Sequence, residues 1–299
     1  MWQEKPFFFF YPTMIQEQCR VIRLERLSAD TWRLFLAAPG VAARVHAGQF
    51  VMLGVSAGYD PLLRRPFSIH DADKDKGEIT LFFRVVGKGT EMLAAVRSGD
   101  ELSLLGPLGN GFKLAPAPAL LVGGGIGIAP LLLLAKELKD KGNQAAAIIL
   151  AGRTKAEVAP LETSFTEWVQ DPKSLIFYTD DGSFGKRGRA NEALAQELDS
   201  IFSWYLGNDD DPSLLPQNLL NRLPLPSAPV VYTCGPQPML RAIALFCRDH
   251  QIKCQVSVES AMACGMGACL GCALPDKIGG HVHVCLDGPV FDAEALPWD

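Results

Sequence analysis

The sequence predicts an α+β multidomain chain with an antiparallel β-barrel, an α/β domain built on a parallel sheet, and a small C-terminal cysteine-rich module. Three patterns indicate this class. Short β-like segments fill the first third, apolar strands alternate with helical stretches in the middle, and four of the eight cysteines cluster near the end. The 299 residues are twice the length of about 150 residues expected for one domain, so we expect two main domains.

Composition and charge exclude several classes of protein. Hydrophobic residues make up 48% and charged residues 20% of the chain, which is ordinary for a globular protein and excludes collagen-like and largely disordered chains. Lys and Arg number 28 against 33 Asp and Glu, for a net charge of -5. Because nucleic-acid binding depends mainly on positive charge, we expect no nucleic-acid partner.

The predicted barrel domain covers residues 15–113. Turn pairs such as Pro39-Gly40 and Lys76-Gly77 occur at fairly even spacing between the β-like segments, which is typical of an antiparallel barrel or sandwich. A single helix is predicted at 90–96. The predicted strands are 20–27, 31–37, 49–55, 66–71, 78–86 and 101–105.

The predicted α/β domain covers residues 114–258. Helices at 129–140, 191–206 and 238–249 alternate with strands and have glycine or proline at their ends, which indicates a doubly wound parallel sheet. The uncharged run 114–135 is long enough to suggest a membrane span, but its glycines and prolines favour a strand, a tight loop and a helix. The predicted strands are 119–122, 145–150, 175–179, 229–232 and 255–258.

The last module, residues 259–299, contains a metal-ligand pattern. Cys264, Cys269 and Cys272 are separated by four and two residues, and Cys285 follows after twelve intervening residues. This is the spacing of plant-type [2Fe–2S] ferredoxins, with Gly265 and other glycines between the ligands. The alternative is a four-cysteine zinc site, although zinc sites usually carry two C-x2-C pairs.

Three further motifs are suited to phosphate binding or to ligands at strand ends. The first combines 63–69 with 86–90, where arginine can pair with a pyrophosphate and Gly89 permits close backbone approach; a solvated strand face and an N-capped turn are the alternatives. The second, 122–130, is a glycine-rich loop between a strand and a helix. The third, 233–239, repeats that strand–turn–helix pattern.

In this order the motifs resemble the ferredoxin–NADP reductase superfamily. The run from Glu259 to Cys272, together with Asp287-Gly288-Pro289-Val290-Phe291 after Cys285, resembles the family of dihydroorotate dehydrogenase electron transfer subunits. The likeness covers about residues 15–298. It implies three cofactors, namely FAD, a [2Fe–2S] cluster and NAD.

The resemblance also implies site residues. It places Cys234 and Glu259 near the reacting rings, as catalytic residues, with an inert core thiol and a solvated carboxylate as the respective alternatives. The cluster ligands would be Cys264, Cys269, Cys272 and Cys285. The nicotinamide side would consist of Gly124, Gly125, Gly127, Gly235 and Pro236. The FAD would be lined by Arg65, Pro66, Phe67, Ser68, Arg84, Gly89 and Thr90.

The function implied by the resemblance is electron transfer in pyrimidine biosynthesis. Electrons would pass from an FMN-containing catalytic subunit that oxidises dihydroorotate, through the cluster and FAD, to NAD. The expected assembly is a heterotetramer with two of each chain, in the cytoplasm and without a membrane span. The alternatives are an FAD and [2Fe–2S] reductase subunit of a ferredoxin-linked or hydrogenase complex, and a non-redox module stapled by zinc. No residue that discriminates NAD from NADP is identifiable.

Two segments depart from the family pattern. The apolar run 6–12 contains four consecutive phenylalanines, and we interpret it as a packed or partner-covered extension. The segment 207–226 is longer than the family pattern and contains three consecutive aspartates, which indicates a solvated loop.

Overall fold

A computed structural model describes residues 14–56, 58–205 and 229–298 of the chain. Side chains are described in helix 190–205 only as far as residue 198. The apolar run 6–12 and the acidic segment 207–226 lie outside the described residues.

The first part of the chain forms a closed antiparallel barrel, which confirms the predicted architecture. The strands follow one another around it in the order β1-β2-β5-β4-β3-β6. They are β1 (Ile15–Arg26), β2 (Thr31–Ala37), β3 (Phe50–Gly54), β4 (Arg65–Asp73), β5 (Glu78–Arg84) and β6 (Glu101–Leu108).

The barrel interior is filled by alternating aliphatic side chains. Leu34 and Leu36 in β2 are fully buried, as are Ile79 and Leu81 in the neighbouring β5. Because successive side chains of a strand point to opposite faces, this alternation directs one face of each strand into the core. The other face is left for contacts with the rest of the chain.

Two short helices join the barrel strands, α1 (Pro39–Ala42) and α2 (Lys88–Leu93). The prediction of a single helix was wrong, because the structure also contains α1. This helix begins at Pro39, and a proline is tolerated there because the N–H of the first helical residue has no partner within the helix. The predicted start of the other helix at Thr90 was also wrong: Gly87 is its N-cap, and Thr90 is the third helical residue.

The middle of the chain forms a sheet of six parallel strands in the order β10-β9-β8-β7-β11-β12, as predicted for a doubly wound α/β domain. These strands are β7 (Ala119–Gly124), β8 (Ala147–Gly152), β9 (Leu175–Thr179), β10 (Lys186–Arg187), β11 (Val230–Cys234) and β12 (Lys253–Ser257). The helices are α3 (Leu131–Asp140), α4 (Lys155–Val158), α5 (Glu162–Phe165), α6 (Ala190–Tyr205) and α7 (Gln237–Asp249).

The apolar run 114–135 forms β7, a 3-10 turn at Gly125–Ile128 and the first part of α3, in agreement with the predicted strand–loop–helix unit. β7 is fully buried between its neighbours, which explains why it carries no charge. Within the described ranges, the helices are too short or too polar for any of them to cross a bilayer.

The C-terminal module combines a cysteine-bearing loop with three short strands. β13 (Ala273–Pro275) and β14 (His281–His283) pair with each other, and β15 (Val290–Asp292) pairs antiparallel with β12. β15 is therefore a seventh strand at the edge of the α/β sheet. This pairing fixes the module to the sheet, and a bridge between Asn110 and Pro289 fixes it to the end of the barrel.

Candidate functional site

A cavity of about 350 Å³ lies where the barrel, the glycine-rich turn and the cysteine module meet. Its size is within the range of small-molecule sites in proteins. Of the predicted site residues it brings together seven. These are Arg65, Pro66, Phe67, Ser68, Arg84, Thr90 and Glu259.

The barrel wall of the cavity is apolar and aromatic, with a cation at one end. Phe67 on β4 and Phe83 on β5 contact each other edge to face, with ring centroids 5.9 Å apart. Arg65 lies against α2, since a Cβ at Gly89 would come within 2.9 Å of its Nε. A planar aromatic ligand with an attached phosphate fits such a wall, because rings pack on rings and guanidinium binds phosphate oxygens.

The Thr90 hydroxyl makes its hydrogen bonds within the turn that starts α2. It donates to the Gly87 carbonyl at 2.9 Å and accepts from the Val86 N–H at 2.9 Å. Thr90 therefore fixes the shape of the loop between β5 and α2 and contributes to the cavity wall through that loop.

Arg84 lines the cavity, but its guanidinium also joins the two domains. Its Nη2 lies 3.2 Å from the Glu157 carboxylate of α4, and its Nε lies 3.5 Å from Asp30. Arg153 contacts the same two carboxylates. The predicted cofactor residue Arg84 is thus held in an ion-pair network between the barrel and the α/β domain.

The glycine-rich loop packs directly on the loop that follows β11. A Cβ at Gly127 would lie 2.4 Å from the backbone nitrogen of Gly235 and 2.5 Å from the carbonyl of Cys234. At Gly125 the backbone has φ +57°, a conformation that favours glycine. The structure thus brings the two predicted nicotinamide motifs into contact, while Ile126 and Ala129 of the first one reach the cavity.

The two predicted catalytic residues differ in accessibility. Cys234 is 2% exposed, is not among the described residues that line the cavity, and has a pKa raised to about 12 by burial and by the Glu259 charge. Its thiol is therefore neutral. Glu259 is exposed and lines both this cavity and a second one, and partial desolvation there raises the pKa of its carboxyl group.

A second cavity, of about 300 Å³, borders Glu259 from the other side. Gly235 and Pro236 line it, together with Trp298 at the end of the C-terminal module. Sequence reasoning missed Trp298, because no motif marks it.

The four predicted cluster cysteines lie in two pairs. Cys272 Sγ is 3.2 Å from Cys285 Sγ, and the backbone N–H of Cys269 donates to Cys264 Sγ at 3.4 Å. Within the described residues, no group of three His, Cys, Asp or Glu side chains could hold a single metal ion. Two sulfur pairs fit a two-iron cluster, with two thiolates on each iron, better than a four-cysteine zinc site.

Backbone amides surround these sulfurs. Gly267 N donates to Cys285 Sγ at 3.1 Å, and Gly271 N donates to Cys269 Sγ at 3.5 Å. Amide donors stabilise negative charge on sulfur, so this donor set suits thiolates bound to iron. Gly267 has φ +82°, a backbone conformation that favours glycine, which explains why this position between two predicted cluster ligands is a glycine.

The cysteine loop lies beside the cavity. Met262 lines the cavity two residues before Cys264. A Cβ on Gly265 would lie 2.5 Å from the Met52 side chain of β3, so the loop packs tightly on the barrel. The cavity and the cysteine loop are thus adjacent.

Three family models match the chain in succession. Residues 18–112 match an oxidoreductase FAD-binding domain and residues 121–244 an oxidoreductase NAD-binding domain. Residues 259–297 match the iron-sulfur cluster binding domain of dihydroorotate dehydrogenase B. The chain therefore contains binding domains for FAD, NAD and an iron–sulfur cluster.

Solved structures share the fold. One from a study of flavin-based electron bifurcation by an NADH-dependent reduced ferredoxin-NADP oxidoreductase matches with a TM-score of 0.72 and 27% identity, over 94% of this chain and 90% of that one. A ferredoxin NADP+ reductase from Neisseria gonorrhoeae, with bound FAD and NADP, matches with a TM-score of 0.57 and 16% identity, over 79% of this chain and 91% of that one.

Curated relatives match almost end to end. The dihydroorotate dehydrogenase B (NAD(+)) electron transfer subunit of Bacillus caldolyticus is 38% identical over 290 residues, covering 94% of this chain and 98% of that protein. The Enterococcus faecalis protein of the same name is 35% identical over 289 residues, covering 94% of this chain and 98% of that protein. The chain belongs to the family of dihydroorotate dehydrogenase B electron transfer subunits.

Proposed function

We propose that the chain carries electrons from an FMN-containing catalytic subunit, which oxidises dihydroorotate to orotate, to NAD. One observation carries the proposal: the cavity of the FAD-binding domain is bordered by the glycine-rich turn at Ala129 and by Met262, just ahead of the cysteine loop. When bound, a flavin exchanges a hydride with a nicotinamide and single electrons with an iron–sulfur cluster, so it must lie between them.

Each binding function is assigned to residues of this chain. Cys264, Cys269, Cys272 and Cys285 would hold the [2Fe–2S] cluster. Gly124, Gly125, Gly127, Gly235 and Pro236 would allow NAD to approach the backbone. The FAD would be held by Arg65, Pro66, Phe67, Ser68, Arg84, Gly89 and Thr90. The corresponding division of the chain is 15–113, 114–258 and 259–299.

Side chains around the cavity exclude water from it and provide a carboxyl group that can hold a proton. Phe67, Phe82 and Phe83 exclude water from one wall. Glu259 can hold a proton on its carboxyl oxygens to a higher pH than an ordinary glutamate, because its surroundings raise its pKa. The Cys234 thiol stays protonated beneath the Gly235 loop, so we assign it packing and positioning against the reacting rings rather than nucleophilic chemistry.

The family assignment as an electron transfer subunit implies a catalytic dihydroorotate dehydrogenase partner. Met266 and Leu270 are 39% and 58% exposed beside the exposed Cys269, and this apolar surface supports docking of the partner at the cysteine loop. We propose a heterotetramer with two of each chain. We also propose a cytoplasmic location, where the thiols of the chain stay reduced.

Co-expression with an FMN-containing catalytic subunit tests the proposal. The complex is expected to co-purify with iron, sulfide and FAD, and to reduce NAD when dihydroorotate is added. Either subunit alone is expected to lack that coupled activity. If a folded, cofactor-loaded chain forms no complex and no NAD reduction is linked to dihydroorotate, the assignment is wrong.

A second candidate is a reductase subunit of a ferredoxin-linked complex. The structural likeness to the ferredoxin-NADP oxidoreductase, at 27% identity, favours it. The partner that co-purifies from the native cell distinguishes the two. A dihydroorotate dehydrogenase catalytic subunit supports the first proposal, and a ferredoxin-dependent flavoprotein supports the second.

Arg65→Ala is expected to weaken FAD binding by about tenfold to 100-fold, because a charge-assisted hydrogen bond to phosphate contributes about 1.5–3 kcal/mol. Fluorescence titration of the apoprotein with FAD measures the dissociation constant. Arg64→Ala is the matched control, since the Arg64 guanidinium binds the Ser103 carbonyl and hydroxyl at 2.8 and 2.9 Å instead. Equal losses of FAD affinity in both variants would contradict the assignment of Arg65.

A further inference from the structure

Strand β4 contacts the α/β domain immediately after its cavity-lining residues. Phe67 and Ser68 line the cavity. Two residues later, His70 Nδ1 lies 2.8 Å from the carbonyl oxygen of Ala129, and Asp71 Oδ2 lies 2.6 Å from Lys136 Nζ of α3. The strand that forms part of the predicted FAD wall is thus tied to the glycine-rich turn and to helix α3, which follows that turn.

The local backbone explains why the His70 side chain points out of the barrel. Ile69 pairs with Leu81, and Asp71 pairs with Thr80, so His70 is the extra residue of a β-bulge. Bulges change the direction of a side chain and often occur beside functional sites. The bulge directs the imidazole from the barrel surface into the domain interface, where it is fully buried.

The imidazole is neutral, with its proton on Nδ1. A carbonyl oxygen accepts hydrogen bonds but cannot donate one, so Nδ1 must donate to Ala129. Nε2 is buried and has no hydrogen-bond partner within the described residues. Burial lowers the pKa of His70 to about 4, and the charges of Arg33 and Lys136 act in the same direction, while the Ala129 hydrogen bond and the Asp71 carboxylate oppose them.

The Ala129 peptide belongs to the turn that carries the nicotinamide motif. Its N–H donates to the Ile126 carbonyl at 3.0 Å and closes the turn, while its C=O accepts from His70. Ile126 and Ala129 both line the cavity. A shift of Ala129 would therefore displace the turn relative to the barrel wall.

We propose that His70 is a positioning residue that holds the glycine-rich turn, and with it a bound nicotinamide, in register with the barrel wall through its hydrogen bond to Ala129. The inference rests on the proposed function for the identity of the two ligands. It adds a residue that lies outside the sequence motifs and is not among the described residues that line the cavity. The ion pair of Asp71 with Lys136 braces the same contact.

His70→Asn and His70→Gln test the inference. Asparagine can place an amide N–H where His70 has Nδ1, whereas glutamine places its amide near the position of Nε2. We expect the rate of flavin reduction by NADH, followed by stopped flow in the FAD-loaded chain, to fall about tenfold to 100-fold in the glutamine variant, since a displacement of about 1 Å can cost 100-fold. The asparagine variant should stay within about threefold of the wild-type rate.

Two readouts separate positioning from a general loss of structure. The dissociation constant for FAD should change much less than the rate in both variants, because the residues proposed to hold FAD lie on the barrel and His70 is not among the described residues that line the cavity. In the wild-type protein, the C2 proton of His70 should show no titration in NMR spectra between about pH 8 and pH 5, where an ordinary histidine titrates.

Equal rates in the asparagine and glutamine variants would overturn the inference, and so would a His70 that titrates with an ordinary pKa. Should the glutamine variant not fold, His70→Leu replaces it, because leucine suits the apolar surroundings of Phe82 and Phe165 and lacks the donor. The test uses this chain, FAD and NADH without a catalytic partner, so its outcome is independent of the partner assignment.

Discussion

Cys272→Ser is expected to abolish the electron paramagnetic resonance signal of the cluster and to lower dihydroorotate-linked NAD reduction at least about 100-fold in the complex. Cys272 is 2% exposed, and its sulfur lies 3.2 Å from that of Cys285. Serine is a poor ligand for iron, and a buried hydroxyl in place of a thiolate leaves one iron short of a donor. Iron and sulfide analysis, the resonance spectrum and the coupled assay measure the effect.

NADH oxidation by ferricyanide should persist in the Cys272→Ser variant, because an artificial acceptor can take electrons directly from the flavin. Cys19→Ser is the matched control: the Cys19 thiol donates to the Leu102 carbonyl at 3.2 Å, and a hydroxyl can donate in the same way. The control should retain the full signal and activity. An unchanged spectrum in the Cys272→Ser variant would show that this cysteine does not hold the cluster.

The barrel and the parallel sheet could be predicted because local patterns determine them. Turn pairs such as Lys76-Gly77 mark the strand ends, and β5 and β9 start at the predicted residues Glu78 and Leu175. The interruption of an apolar run by Gly125 and Gly127 was enough to distinguish strand, turn and helix from a membrane span.

Long-range pairing was not predictable from local patterns. β15 is three residues long and joins β12, 33 residues back along the chain, so no periodicity could indicate it. The role of Arg84 between Glu157 and Asp30 depends on two domains meeting, and so does the burial of His70. Motifs marked where ligands could bind, whereas the contacts that hold the binding loops together come from residues outside the motifs.

Glycine spacing alone also did not show which glycine is indispensable. At Gly124 an added Cβ would meet the flexible Met239 side chain at 2.4 Å, which can move. At Gly127 the obstacle is backbone, namely the Cys234 carbonyl and the Gly235 nitrogen. The structure thus identifies Gly127 as the position where the two predicted nicotinamide loops cannot accept a side chain.

Gly127→Ala is therefore expected to slow the reduction of bound FAD by NADH about 100-fold and to lower the free energy of unfolding by about 1–3 kcal/mol. The added methyl group would lie 2.4 Å from the backbone nitrogen of Gly235, so the loops must separate. Overpacking carries a cost of that size, and a displacement of about 1 Å at a reacting site can cost 100-fold in rate. Stopped-flow reduction and denaturant titration measure the two effects.

Gly142→Ala is the control variant, because it introduces backbone strain without pushing the two loops apart. Gly142 has φ +73° after α3, with open space around its Cβ position, so alanine there costs about 1 kcal/mol of stability through backbone strain alone. The rate of FAD reduction should be that of the wild-type protein. If Gly127→Ala behaves like this control, with a small loss of stability and a normal rate, then contact between the two loops does not position the nicotinamide, and their proximity is a feature of packing alone.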